Sequence, residues 1–480
     1  MGKSISKNAM FNMLNKGIAV AFPLITVSYI SRVLGASGIG EVSSAQNLST
    51  YFSMGAALGI PSYGVRAVAQ ARKDRQKCGK VFSELFFLNL MSTIVALALY
   101  FVALYGMRNN YPNLTLSFVF AGSIVFNIIN IEWVYQGFEE YEYITVRSLI
   151  VKILSVFLLF IFVRKETDLI AYALIICFGS VGNYILNFLN LRKYIRMQIS
   201  GLNLKKHLVP VLTFFISVIA IEIYSLLDVT MLTAMTDSTC VGYYTNSTKI
   251  VKAVANTLTG VSAVLMPRFS YLFAEDDKKK IQELSGNFLN ITFLISIPSC
   301  IGLILVADQL VTILFGAGFE PAIATIRILS FLIIFMPLSG GVFCQLLLTS
   351  GNEKKYLMCV LVGTIVNAAL NSLFISRYAQ NGAAAASVIA EMVISGMMII
   401  ASMRAVKVFM KKRDIISILC SVIMMIVVII LLKNIFFALP MWLELTTEIL
   451  GAIIAYFAGI IFIKNSITQN LLKKMRLKIK

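Results

Sequence analysis

No charged residue interrupts the run Ile415–Leu432, and similar apolar runs recur along the chain, Phe118–Ile131 among them. A helix needs about 20 mostly apolar residues to cross the hydrocarbon core of a bilayer. A strand of a membrane barrel shows short segments that alternate between apolar and polar instead. These runs do not alternate, so they predict helices. Composition agrees: 58% of the residues are hydrophobic and 14% charged, where a soluble domain carries roughly 45–50% apolar and about 25% charged residues. A water-soluble fold is excluded, and the chain is expected to be an all-α polytopic membrane protein.

Hydropathy places fourteen spans, at about 10–31, 39–64, 83–105, 114–135, 148–163, 169–189, 208–235, 241–265, 286–307, 323–348, 356–375, 383–403, 415–432 and 445–463. The second and eighth are polar for membrane helices. The first run leads straight into the multi-span pattern, so it reads as a retained helix and not a cleaved signal. The net charge of +19 invites a nucleic-acid reading, but the basic residues lie in the loops between spans, where they set topology. With the N-terminus in the cytoplasm, most of the 42 lysines and arginines fall on that side, and only Arg32, Arg108, Arg164, Lys165, Arg377 and Lys433 fall in outer loops. Both termini are therefore expected to be cytoplasmic. Seven scattered cysteines, no CxxC pair and a single histidine, His207, give no metal site or disulfide framework. No P-loop is present, which argues against ATP as the energy source.

Displacing the sequence by about 202 residues brings Ile39-Gly40 onto Val241-Gly242, Arg66 onto Arg268, and Ser43, Asn47 and Thr50 onto Thr245, Lys249 and Lys252, the mark of an internal duplication. Residues 1–203 and 204–408 are then two pseudo-symmetric six-helix bundles in parallel orientation, and 409–480 adds two helices and a basic tail. Transporters built from such repeats place the substrate in a central cavity between the halves and alternate access by rocking them.

Ionisable residues inside a span cost roughly 2.5–3.5 kcal/mol each at mid-bilayer and are functional candidates; near a span end they also serve as headgroup anchors. Lys249 and Lys252 share one helix face with Thr245, Asn256 and Thr259. An anion between them relieves their repulsion, so a diphosphate site is one reading and snorkelling the other. Arg32 closes the first span as a phosphate ligand or an anchor; Lys16 reads as an anchor. Glu222 and Asp228, in the seventh span, are read as ion-pair partners of the two lysines or as an ion-coupling site. Arg327 and Glu391 pair with one another or line the cavity. Asn47 and Thr50 are expected to face the substrate. Arg66 and Arg268, repeat mates at the inner ends of spans two and eight, are positive-inside markers or parts of a cytoplasmic gate.

The order of motifs resembles a known family. Phe22-Pro23-Leu24-Ile25-Thr26, Tyr29-Ile30-Ser31-Arg32-Val33-Leu34-Gly35 and Gly38-Ile39-Gly40 open the chain. Leu58-Gly59-Ile60, Glu132-Trp133 with Gln136-Gly137, Asp228, Gly242-Tyr243-Tyr244, Lys249 and Pro267-Arg268-Phe269-Ser270 follow. Together they resemble polysaccharide flippases of the Wzx type, in the multidrug/oligosaccharidyl-lipid/polysaccharide exporter superfamily. The resemblance implies transport of an undecaprenyl-diphosphate-linked oligosaccharide to the outer leaflet of a bacterial inner membrane. It further implies alternating access coupled to H+ or Na+, a polyprenyl tail running along spans 13–14, and a polysaccharide polymerase as a pathway partner. No cofactor, metal or catalytic residue is expected, and the protein is expected to act as a monomer. Two relatives compete with this reading. A multidrug/cation antiporter of the superfamily usually stops at twelve helices and favours an acidic cavity; a lipid II flippase shares the Ser-Arg-Val-Leu-Gly element and gives Arg32 added weight. A membrane glycan polymerase or ligase needs a long outer loop, and none is expected here.

Overall fold

The computed structural model describes residues 5–262, 265–403, 406–436 and 438–469. Arg404 and the basic tail beyond residue 469 lie outside the described residues, as does the side chain of Lys16. The described regular structure is entirely helical. Residues Met1–Thr245 and Asn246–Lys480 form two compact units.

The first unit contains α1 (Ile5–Ala57), α2 (Ile60–Ala71), α3 (Arg75–Gly106), α4 (Leu114–Phe126), α5 (Glu132–Gly137), α6 (Tyr141–Phe162), α7 (Leu169–Asn190), α8 (Lys205–Met235) and the start of α9 (Ser238–Ser262). The second holds the rest of α9, then α10 (Met266–Ala274), α11 (Lys278–Leu305), α12 (Ala307–Phe315), α13 (Pro321–Leu329), α14 (Leu332–Pro337), α15 (Cys344–Thr349), α16 (Glu353–Met403), α17 (Lys412–Ile435) and α18 (Met441–Phe462). Among the described residues, nine helical stretches are long and apolar enough to cross a membrane. Helix underlies each of the fourteen expected spans, because α1 and α16 hold two apiece and α8 and α9 supply the seventh and eighth.

The boundaries differ from hydropathy where the backbone bends without a polar loop. Spans one and two are two helices that meet directly at Gly35, whose backbone is not helical (φ 66°, ψ 179°); spans eleven and twelve meet in the same way at Ala379 (φ 46°). Span two ends at Ala57, because Leu58 turns into the left-handed region at φ 50° and Pro61 sits at the start of the separate helix α2. Span four breaks after α4, and span ten is split into α13, α14, a π-helical turn at Leu338–Phe343 and α15. Span five begins earlier than expected, so Arg147 lies inside α6 and is buried.

Lipid is as apolar as a side-chain core, so helices in a bilayer associate through close packing and hydrogen bonds. Two glycines do this at the start of span two and of α9. A Cβ on Gly40 would lie 1.6 Å from the Ser238 carbonyl oxygen, and one on Gly242 would lie 1.9 Å from that of Ala36. Two further glycines hold later stretches of chain in a similar way. A Cβ on Gly79 of α3 would meet the Arg196 oxygen at 2.4 Å, and one on Gly286 of α11 would meet the Phe409 oxygen at 2.6 Å. Aspartates cap both helices: Asp74 accepts from the Gln76 and Lys77 amides, and Asp277 from the Lys280 amide. In the second unit α17 and α18 pack on α11 through Leu294, Val422, Met425 and Tyr456, and Tyr456 Oη donates to the Leu294 carbonyl at 2.7 Å.

Candidate functional site

In the first unit the polar stripe of span two meets α8. Ser44 Oγ lies 2.7 Å from Thr233 Oγ1. Asn47 Nδ2 donates to Thr230 Oγ1 at 2.8 Å and to the Leu226 carbonyl at 3.3 Å. The Thr50 hydroxyl donates back to Gln46 of its own helix at 2.8 Å. Asn47 is thus buried in a helix seam, and its amide donor is spent there. Asp228 is buried on α8 and accepts from Tyr244 Oη at 2.5 Å. Glu222, nearly two turns earlier, is exposed, and so is Arg32.

In the second unit α9 has one buried and one open side. Ser247, Val251 and Ala255 are buried, at the three-to-four-residue spacing of a helix face. Lys249 and Lys252 are half-buried, and Asn256 is exposed, on the other side. Neither ammonium has a hydrogen-bond or ion-pair partner among the described residues. Two unpaired cations on one face of a membrane helix are costly unless an anion reaches them.

Arg327 and Glu391 do not pair with one another. Arg327 Nη2 reaches both carboxylate oxygens of Asp308, at 2.7 and 2.9 Å, while Glu391 is buried and accepts from the Ser339 hydroxyl. Arg66 is exposed on α2, and Arg268 is exposed on α10. Arg66 therefore stands on a helix separate from α1, beyond the turn at Leu58 and Gly59, and not at the tip of its span. Arg268 borders an open cleft of about 530 Å³ with Tyr271, Lys280, Glu283 and Asn287.

Hydropathy missed three buried polar centres. Glu84, fully buried on α3, holds Lys206 Nζ at 2.7 Å, His207 Nε2 at 2.9 Å and the Asn203 amide at 2.9 Å. The other ring nitrogen of His207 lies 2.8 Å from Tyr63 Oη on α2, so the single histidine fastens the start of α8 to α2 and α3. Glu132 takes Arg147 Nη2 at 2.6 Å, and Arg147 also donates to Asn187 on α7. The third centre ties α11 to the last two helices: Asn465 Nδ2 donates to Ser417 Oγ at 2.8 Å, Asn290 Nδ2 donates to Asn465 Oδ1, and Asp414 accepts from Ser466. An acid or amide opening an apolar run was the only available signal, and it does not reveal the partner.

Comparison with known proteins agrees with this architecture. Residues 5–273 match the family described as polysaccharide biosynthesis protein, and residues 145–449 match that described as lipid II flippase MurJ. A putative O-antigen transporter of Escherichia coli (strain K12) is 23% identical over 416 residues, 82% of this chain and 96% of that protein. One from Shigella dysenteriae is 23% identical over 76% of this chain and 91% of its own length. The fold resembles that of a lipid II flippase in an inward closed conformation, with TM-score 0.77 at 15% identity over 96% of this chain and 99% of that one. It also resembles a multidrug resistance MATE family transporter in its inward-facing conformation, with TM-score 0.60 at 15% identity over 84% and 95%. The polytopic helical fold, the buried intramembrane charges and these matches converge: the chain belongs to the polysaccharide biosynthesis protein family, within the multidrug/oligosaccharidyl-lipid/polysaccharide exporter superfamily of transporters.

Proposed function

We propose that this chain is a flippase that carries oligosaccharides linked to undecaprenyl diphosphate from the inner to the outer leaflet of a bacterial cytoplasmic membrane. It works by alternating access, driven by an H+ or Na+ gradient, with both termini in the cytoplasm. The family match and the O-antigen transporter relatives support the substrate class. The observation that carries the reading within the chain is the pair of lysines on α9 that have no partner among the described residues. A diphosphate is a compact, multiply charged anion, and its attraction to two ammonium groups grows steeply as the local dielectric falls. Lysine suits a contact that must later release, where arginine grips an anion through two parallel hydrogen bonds.

The test is complementation of a flippase-null strain, with membrane protein levels measured alongside. Lys249→Ala/Lys252→Ala is expected to abolish export at normal protein levels, and Lys249→Arg/Lys252→Arg to retain part of it. Full export by the double alanine variant would reduce both lysines to headgroup anchors. The match to the lipid II flippase family favours a second reading, in which the cargo is lipid II. That substrate carries the same diphosphate, so the two readings separate by which null strain the wild-type chain rescues, not by the lysine variants.

A further inference from the structure

Glu448 sits two turns into the membrane-crossing helix α18 and is fully buried. Gln309 of α12 faces it, itself 4% exposed, and its Nε2 donates to Glu448 Oε1 at 3.0 Å. The remaining side-chain oxygens, Glu448 Oε2 and Gln309 Oε1, are both buried and take no hydrogen bond among the described residues. Buried polar atoms are nearly always satisfied, so two orphans on one interacting pair call for a cause. Both atoms are acceptors when the acid is ionised, and neither has a donor. An ionised carboxylate here has no cation in direct contact either. Among the described residues no lysine or arginine pairs with Glu448.

The surrounding elements supply little charge. On α18 itself the carboxyl of Glu444, one turn earlier, is near enough to share a hydrogen bond with Glu448 when one of the two acids is protonated, and on α17 the opposing charge is Lys433, which is exposed. Beside Gln309 on α12, Asp308 is spent on Arg327. The stretch of α11 that faces the site offers Leu294, Pro298, Ser299 and Gly302 and no ionisable group. Glu448 also forms part of the wall of a cavity of about 360 Å³ whose lining is mostly apolar, with Met425, Ala452 and the ring of Tyr456.

A carboxylic acid and a primary amide are complementary when the acid holds its proton: each then offers one donor and one acceptor. We propose that Glu448 is a proton-binding site of the C-terminal helix pair, holding at neutral pH a proton on Oε2 that Gln309 Oε1 accepts. One proton, taken from water with no other change, satisfies both orphan oxygens and makes this wall of the cavity neutral. The cavity then suits an apolar chain, and loss of the proton sets a bare charge against it. The site is independent of which glycan the protein moves.

Infrared spectroscopy of the full-length chain in nanodiscs tests this directly. At neutral pH the difference between wild type and Glu448→Gln is expected to contain one protonated carboxylic-acid carbonyl band, which shifts in deuterium oxide. Gln309→Leu keeps the acid but removes its partner, so the band is expected to persist at the higher frequency of a free acid. Loss of a carboxylate band in Glu448→Gln, or identical spectra in the acid region, overturns the proposal. Should Glu448→Gln not fold, Gln309→Leu decides alone: a shifted acid band supports the site, and an unchanged acid region refutes it.

Discussion

Two arginine–carboxylate pairs show how burial sets the value of a single residue. Arg327 and Asp308 are both 45% exposed at the side chain. Such a pair contributes about 0.2–1 kcal/mol, because water screens it and ordering two side chains costs entropy. Arg147 is 4% exposed, and its partner Glu132 is 34% exposed. Removing one member of a buried pair costs roughly 3–5 kcal/mol, since the other is left uncompensated; the partial exposure of Glu132 brings Arg147→Ala below that range, to about 2–3 kcal/mol. Thermal unfolding in detergent is therefore expected to show a clear loss for Arg147→Ala and almost none for Arg327→Ala. Equal losses would mean that the burial difference has no energetic consequence. The sequence placed Arg147 in a loop, because the polar start of α6, Tyr141 to Arg147, dilutes the hydropathy of its first two turns. Its true surroundings depend on Asn187, distant in the chain, and no local signal encodes that.

At the scale of elements, the crossing of Gly40 and Gly242 makes a sharper demand. A methyl group at Gly40 would stand 1.6 Å from a backbone oxygen, and one at Gly242 would stand 1.9 Å from another. Backbone atoms cannot turn aside as a flexible side chain does, so the helices must separate. Gly40→Ala and Gly242→Ala are each expected to lower the melting temperature and abolish export while the protein still inserts. Gly55→Ala and Gly106→Ala, where a Cβ meets nothing within 4 Å, are the controls and are expected to be neutral. Normal export by both Gly40→Ala and Gly242→Ala would show that the close crossing is dispensable. These two glycines align when the sequence is displaced by about 202 residues, but their approach to each other was not legible, since spacing fixes a helix face and not its neighbour. The breaks between spans one and two and between spans eleven and twelve were legible: Gly35 lies in a short polar stretch and Ala379 follows the polar pair Arg377-Tyr378, both in the gaps that hydropathy leaves between spans.

At the scale of the whole molecule, the span pattern, the family and the cationic face of α9 were all readable, because each follows from local hydropathy, charge or motif order. The energy source is harder, since coupling requires a charged group whose environment changes during the cycle, and environment is a tertiary property. The two acids read from the sequence as coupling candidates now stand apart: Asp228 is buried against Tyr244, while Glu222 is exposed. A group that binds and releases a cation must alternate between dry and wet surroundings. The buried Asp228 is shielded from water in this conformation, and so meets that requirement better than the exposed Glu222. In proteoliposomes, transport is expected to follow an imposed H+ or Na+ gradient, to ignore ATP, and to be lost in Asp228→Asn. Glu222→Gln is expected to retain more than half of wild-type activity. A requirement for ATP would refute gradient coupling outright. Loss of transport in Glu222→Gln with retention in Asp228→Asn would instead transfer the coupling role to the exposed acid, and burial would no longer be the property that selects it.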